Sequence, residues 1–92
     1  MREQDVQKKL VKYLEGLGAY TVNVIIASKS GVPDILCCYR GTFIVIEVKR
    51  PQNKNNVSKV QRVNLDWIID AGGLAGVAWD IDSLEEILND NV

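Results

Sequence analysis

Ninety-two residues with a formal net charge of −1, 47% apolar and 25% charged, have the balance of a single globular domain, 1–92, with one modest core. No apolar run reaches the ~20 residues a membrane helix needs, and the first 17 residues mix charged and apolar side chains as no secretory leader does, so an intracellular, cytoplasmic protein with no membrane partner is expected. Histidine is absent, which excludes Ser-His-Asp and imidazole–zinc chemistry and leaves carboxylates and carbonyls as ligands, donors suited to Mg²⁺ or Mn²⁺.

In chain order, Arg2 to Leu17 has the spacing of an amphipathic helix, with Val6, Leu10, Val11, Tyr13, Leu14 and Leu17 on one side. Glu3 falls on the same stripe, between Leu10 and Leu14. It is either an inward-facing acid or a first-turn residue that only complements the helix dipole. Tyr20 to Ala27 reads as a strand, and Ser28 to Pro33 as a loop leading to Asp34. Ile35–Tyr39 and Thr42–Val48 are strand-like runs joined by Arg40-Gly41, the length of a two-residue hairpin turn. Thr42–Val48 is apolar on both faces, as a central strand covered by helices would be. Cys37 and Cys38 are adjacent in a strand, point to opposite faces, and are expected to be two buried thiols rather than a disulfide. Arg50 to Val57 is a polar loop. Ser58 opens a second helix that runs to about Ala71, with Gln61 as its capping-box partner. The apolar arc of that helix is too wide for one sheet to cover, and Trp67, Ile68 and Ile69 offer a surface to a second subunit. Leu74–Trp79 is a last strand, and a short helix through Leu88 is expected to be capped by Asp82 with Glu85. The fold class is α/β: a single mixed sheet flanked by helices, in the order α-β-β-β-α-β-α.

A hairpin closed by Arg40-Gly41 pairs Tyr39 with Thr42 and, counted down the ladder, sets Asp34 opposite Glu47. Directly opposed side chains have Cβ atoms roughly 5 Å apart, and two carboxylates held so repel each other. A cation between them would relieve the repulsion. Lys49, two residues beyond Glu47, shares its face. The first helix, running antiparallel to the first strand, brings Glu3 to the same end of the sheet. The short Arg50–Val57 loop brings Gln61 there as well. Five polar side chains thus converge on one edge. The charge is also segregated. From Ser28 to Val63 there are seven bases and two acids, a net +5, whereas from Asn64 onward there are seven acids and no base, −7. A basic face around the carboxylates, with an acidic remainder turned away, is the expected consequence.

Pro33-Asp34 followed after a hairpin by Glu47-Val48-Lys49 resembles the PD-(D/E)XK nuclease signature, and the element order is similar to that superfamily's restriction-endonuclease-like core. With Glu3 in the first helix, Gly31-Val32-Pro33-Asp34 and a helical Gln61, the pattern resembles the small VRR-NUC (virus-type replication-repair nuclease) domains, relatives of archaeal Holliday junction resolvases, over nearly the whole chain. The resemblance implies a Mg²⁺- or Mn²⁺-dependent endonuclease acting on Holliday junctions or other branched DNA. It further implies a stand-alone domain, of the kind found in phages and bacteria, that works as a homodimer because a four-way junction needs two symmetric nicks. Asp34, Glu47 and the Val48 main-chain carbonyl would hold the metal. Lys49 would orient the attacking water or neutralise charge at phosphorus. Glu3 would act through a water or a second ion, and Gln61 would help position the nucleophile. Ser28, Lys29, Ser30, Arg50, Lys54, Ser58, Lys59 and Arg62 are the expected phosphate contacts. An RNA-processing nuclease of the same fold and a non-catalytic nucleic-acid-binding module are the alternatives.

Overall fold

The Arg40-Gly41 turn sets the sheet. In the computed structural model, which describes residues 1–89, both residues have positive φ, 51° and 80°. That is the type I′ geometry whose twist matches flanking strands, and Gly41 adopts it without the steric penalty a side chain brings. Around the turn β2 (Ile35–Tyr39) pairs antiparallel with β3 (Thr42–Val48) in the predicted register, from Tyr39 opposite Thr42 to Ile35 opposite Ile46. One step further down lie Asp34 and Glu47.

The remaining elements are α1 (Glu3–Gly16), β1 (Tyr20–Asn23), a 3₁₀ turn at Pro51–Asn53, α2 (Lys59–Asp70), β4 (Leu74–Ala78) and α3 (Ile81–Asn89). The α-β-β-β-α-β-α order is therefore as expected. The four strands form one mixed sheet in the order β1-β2-β3-β4, with β4 parallel to β3. The doubly apolar β3 is internal, and Ile44 through Val48 are buried. One sheet face, carrying Ile35, Cys37, Ile44, Ile46, Val48 and Ala78, packs with Val6, Leu10 and Leu14 of α1 and Leu84 of α3. The other face receives α2, which lies on β3 and β4. Among the described residues, no helix is long and apolar enough to cross a membrane.

Four local expectations are corrected. The first strand stops at Asn23 instead of Ala27, because its partner begins at Ile35 opposite Asn23. One more backbone bond, Val24 N–H to Asp34 C=O at 2.8 Å, ends the pairing, and Ile25 and Ile26 beyond it are exposed. Cys37 is buried but Cys38 is exposed, since Cys38 lies on the face that α2 leaves open over β1 and β2. The last helix is capped by Asp80 rather than Asp82: Asp80 Oδ1 accepts the Ser83 N–H at 2.8 Å, and Ser83 Oγ accepts the Asp80 N–H at 3.1 Å. Glu85 instead accepts a short hydrogen bond from the Tyr13 hydroxyl, tying α3 to α1. Finally, Glu3 is exposed. It is the first residue of α1, a turn short of Val6, where the buried stripe begins.

Candidate active site

Asp34 is delivered by a loop that α2 pins. Gly31 has φ +77°, and a Cβ there would lie 2.8 Å from the Val60 carbonyl oxygen, so only glycine allows the loop to touch the first turn of α2. Asn64 Nδ2 donates to both Ser30 C=O (3.0 Å) and Val60 C=O (2.8 Å), and Pro33 is buried. The Asp34 carboxylate then accepts the Val48 N–H through Oδ2 at 2.8 Å, holding it against the end of β3.

Glu47 lies across the ladder from Asp34 and is only 3% exposed. Its Oε2 accepts from Gln61 Nε2 at 3.1 Å and is 3.8 Å from Lys49 Nζ. Gln61 is held at both ends. Its backbone N–H donates to Ser58 Oγ (3.2 Å) and its Oε1 accepts the Ser58 N–H (3.0 Å), so the predicted capping box also aims the amide at Glu47. Lys49 keeps its side chain only 13% exposed, and its N–H donates to Ala78 C=O at 3.1 Å, extending the β3–β4 pairing past Val48.

Burial pushes the Glu47 carboxyl up to about 8, reinforced by the charge of Asp34 and by the hydrogen bond a protonated Glu47 makes to it. Lys49 pulls the other way, and Glu3 adds the smallest push upward. That small effect is what remains of the expected fifth member: Asp34, Glu47, Lys49 and Gln61 are brought together, while Glu3 stays exposed and acts on them only through its field. Among the described residues no cluster of three His, Cys, Asp or Glu side chains able to hold a metal forms.

The expected phosphate contacts divide by place. Lys54, Ser58, Lys59 and Arg62 line one groove of ≈ 800 Å³ beside α2. Ser28, Lys29 and Ser30 are exposed on the loop before Asp34, where Lys29 Nζ sits 4.4 Å from the centre of the Trp67 ring. Arg40 leaves the basic face: it lines a separate cavity with Tyr13, Leu17 and Glu85 at the hairpin end of β2 and β3. The groove beside α2 also contains Trp79, the last residue of the expected strand Leu74–Trp79, which lies just past the end of β4 at Ala78. Its place depends on the β3–β4 register, with Val77 opposite Glu47.

The sequence profile of the archaeal Holliday junction resolvase (Hjc) family matches residues 2–85. The chain belongs to that family. Membership of the Hjc family makes the protein a nuclease, a hydrolase acting on DNA. No curated protein matches the chain. A solved structure described as a VRR_NUC domain is similar with a TM-score of 0.78 over 98% of this chain and 97% of its own, at 23% identity, and shows the shared fold. In this Hjc-family chain the matched segment contains Asp34, Glu47, Lys49 and Gln61.

The raised Glu47 carboxyl has a consequence for stability without metal. The unfolded chain releases this proton near the ordinary value of 4.5, whereas the folded chain keeps it to about 8. Between those values the folded state binds the extra proton, so the stability it supplies is complete below about pH 4.5 and is lost progressively by about pH 8. In metal-free buffer the melting temperature is expected to fall as pH rises from about 5 to about 9, and Glu47→Gln is expected to flatten that decline. An unchanged pH profile in Glu47→Gln would assign the decline to other groups.

Proposed function

We propose that this protein is a divalent-metal-dependent endonuclease that cuts branched DNA, with four-way junctions its leading substrate. The observation that carries this reading is the buried Glu47 facing Asp34, with Lys49 Nζ 3.8 Å away. Confined beside Asp34, Glu47 holds its proton well above the usual carboxylate range, and a small cation between the two would let both carboxyls ionise. The donors are all oxygen, which fits Mg²⁺ or Mn²⁺, ions that keep several waters and need few protein ligands. Asp34, Glu47 and the Val48 carbonyl would hold the ion, with Glu3 reaching it through water or a second ion. When bound, it supplies Lewis acidity toward a phosphodiester oxygen and lowers the pKa of water.

The protein's own groups do the positioning. Gln61, fixed at Ser58, holds the orientation of Glu47. Asp34 is held against Val48. The Lys49 ammonium shares the face of Glu47, where it can orient the attacking water or meet charge developing on the phosphate. Lys54, Ser58, Lys59, Arg62 and Arg50, with Ser28, Lys29 and Ser30 on the loop before Asp34, bind flanking phosphates. Incubation with labelled four-way junction, flap, duplex and single-stranded DNA, with and without Mn²⁺, tests the reading. Metal-dependent cleavage favouring branched forms is expected, and absence of cleavage of every form in Mn²⁺ would overturn it.

The working unit we propose is a homodimer. One chain carries one site, and two-fold symmetry is the common way to present two. The outward part of α2 supports this: Val60 is 45%, Trp67 61% and Ile69 48% exposed, an unusual concentration of apolar surface on one helix. Sedimentation equilibrium at micromolar concentration is expected to give twice the 10.3 kDa chain mass, and Trp67→Glu is expected to halve it. A wild-type monomer under those conditions would exclude the assembly.

A further inference from the structure

The groove between α2, the Pro51–Asn53 turn and the end of β4 has a composition that phosphate contacts alone do not explain. It measures ≈ 800 Å³ and is lined by Lys54, Ser58, Lys59, Arg62, Val77 and Trp79 among others, with three bases and no acid in its lining. Within it the half-buried Trp79 indole has Lys54 Nζ 5.2 Å from its ring centre. The groove adjoins the acids directly. Val77 is the cross-strand partner of Glu47, and Ser58, which lines the groove, is bonded to the Gln61 that holds Glu47. An aromatic face among cations one strand away from a phosphodiester-cutting centre matches the make-up of a single-strand binding platform, where bases stack and lysines and arginines follow the backbone.

We propose that this groove binds an unpaired nucleotide next to the scissile phosphate, its base stacked on Trp79 and its phosphates on Lys54, Lys59 and Arg62. The proposal rests on the nuclease reading above and deepens it by naming what the site selects: a strand with an unstacked base beside the cut. In intact duplex the bases are stacked on one another and offer no free face to an indole, so a helix without a branch or frayed end cannot fill the groove. Lys54 covers the ring in the free protein. An exposed cation–π contact is weaker than base–aromatic stacking, so an entering base displaces the ammonium, which then has a phosphate to pair with.

Trp67→Phe leaves Trp79 as the chain's only tryptophan, so its emission reports the groove. In EDTA, where cleavage is prevented, that protein is titrated with short oligothymidylate and with blunt duplex, and binding is followed in parallel by anisotropy. The expected result is quenching of Trp79 by oligothymidylate but not by duplex, and roughly tenfold weaker oligothymidylate binding in Trp79→Leu, largely restored in Trp79→Phe. Binding without quenching, equal quenching by duplex, undiminished binding in Trp79→Leu, or no oligothymidylate binding would each overturn the proposal. Loss of the nuclease reading is separable: DNA would remain uncut in Mn²⁺ while Trp79 was still quenched.

Discussion

Asp34→Asn and Glu47→Gln are each expected to reduce cleavage to background while leaving the metal-free protein at least as stable as wild type. The catalytic loss follows from the removal of one of the two carboxylates proposed to hold the cation. The stability result follows from the contacts. In Asp34→Asn the new amide oxygen can still accept the Val48 N–H that Asp34 Oδ2 takes at 2.8 Å, and in Glu47→Gln the amide oxygen can still accept from Gln61 Nε2. Glu47→Gln mimics the protonated form that burial already favours, and Asp34→Asn removes the neighbouring charge that pushes the Glu47 carboxyl up. The Lys49–Glu47 pair pulls against this, but at 3.8 Å it is too loose to outweigh desolvation and the Asp34 charge. Thermal melts separate the roles. Mn²⁺ is expected to raise the melting temperature of wild type and of neither variant, since a ligand stabilises only a state it binds. A loss of about 3–5 kcal/mol in both metal-free variants would instead identify the acids as members of a structural ion pair.

For Lys49→Ala, cleavage is expected to fall about 10²- to 10³-fold, the usual effect of removing one preorganised group that stabilises transition-state charge. Binding of a four-way junction is expected to weaken only a few-fold. Lys49 is one cation among several: Lys54, Lys59 and Arg62 line the adjoining groove, Arg50 follows Lys49 directly, and Lys29 stands on the loop before Asp34. Side-chain exposure of 13% and the position beside Glu47 mark Lys49 as a group directed into the site, not spread over the surface. Gel-shift titration in Ca²⁺ beside single-turnover cleavage in Mn²⁺ measures the two effects separately. Equal losses in both would make Lys49 an anchor for the backbone and leave activation of the water to another group.

Much of the site was legible because its geometry is local. A two-residue turn leaves one register, so the opposition of Asp34 and Glu47 could be counted along the ladder, and strand alternation put Lys49 beside Glu47. Ser58 and Gln61 are three residues apart, a spacing that defines their reciprocal bonds before any tertiary contact forms. The doubly apolar β3 announced its central place in the same way.

Other features depended on which surfaces meet. Residues 24–27 have strand-like side chains but no strand beside them, and pairing, not propensity, decided where β1 ended. Cys38 and Glu3 lie on apolar-looking periodicities, yet each is exposed, because periodicity specifies a face and not whether another element covers it. Asp80 outcompeted Asp82 as a cap because the cap is chosen where the helix begins, just after β4 ends. Trp79 came beside the acids only through the parallel register of β3 and β4, which no short turn dictates and which the packing of α2 against both strands decides. Sequence alone determined the local pairs around the acids, since short chain separation leaves few geometries open. The groove that surrounds them required the tertiary structure, because its walls come from segments that meet only once the sheet is assembled.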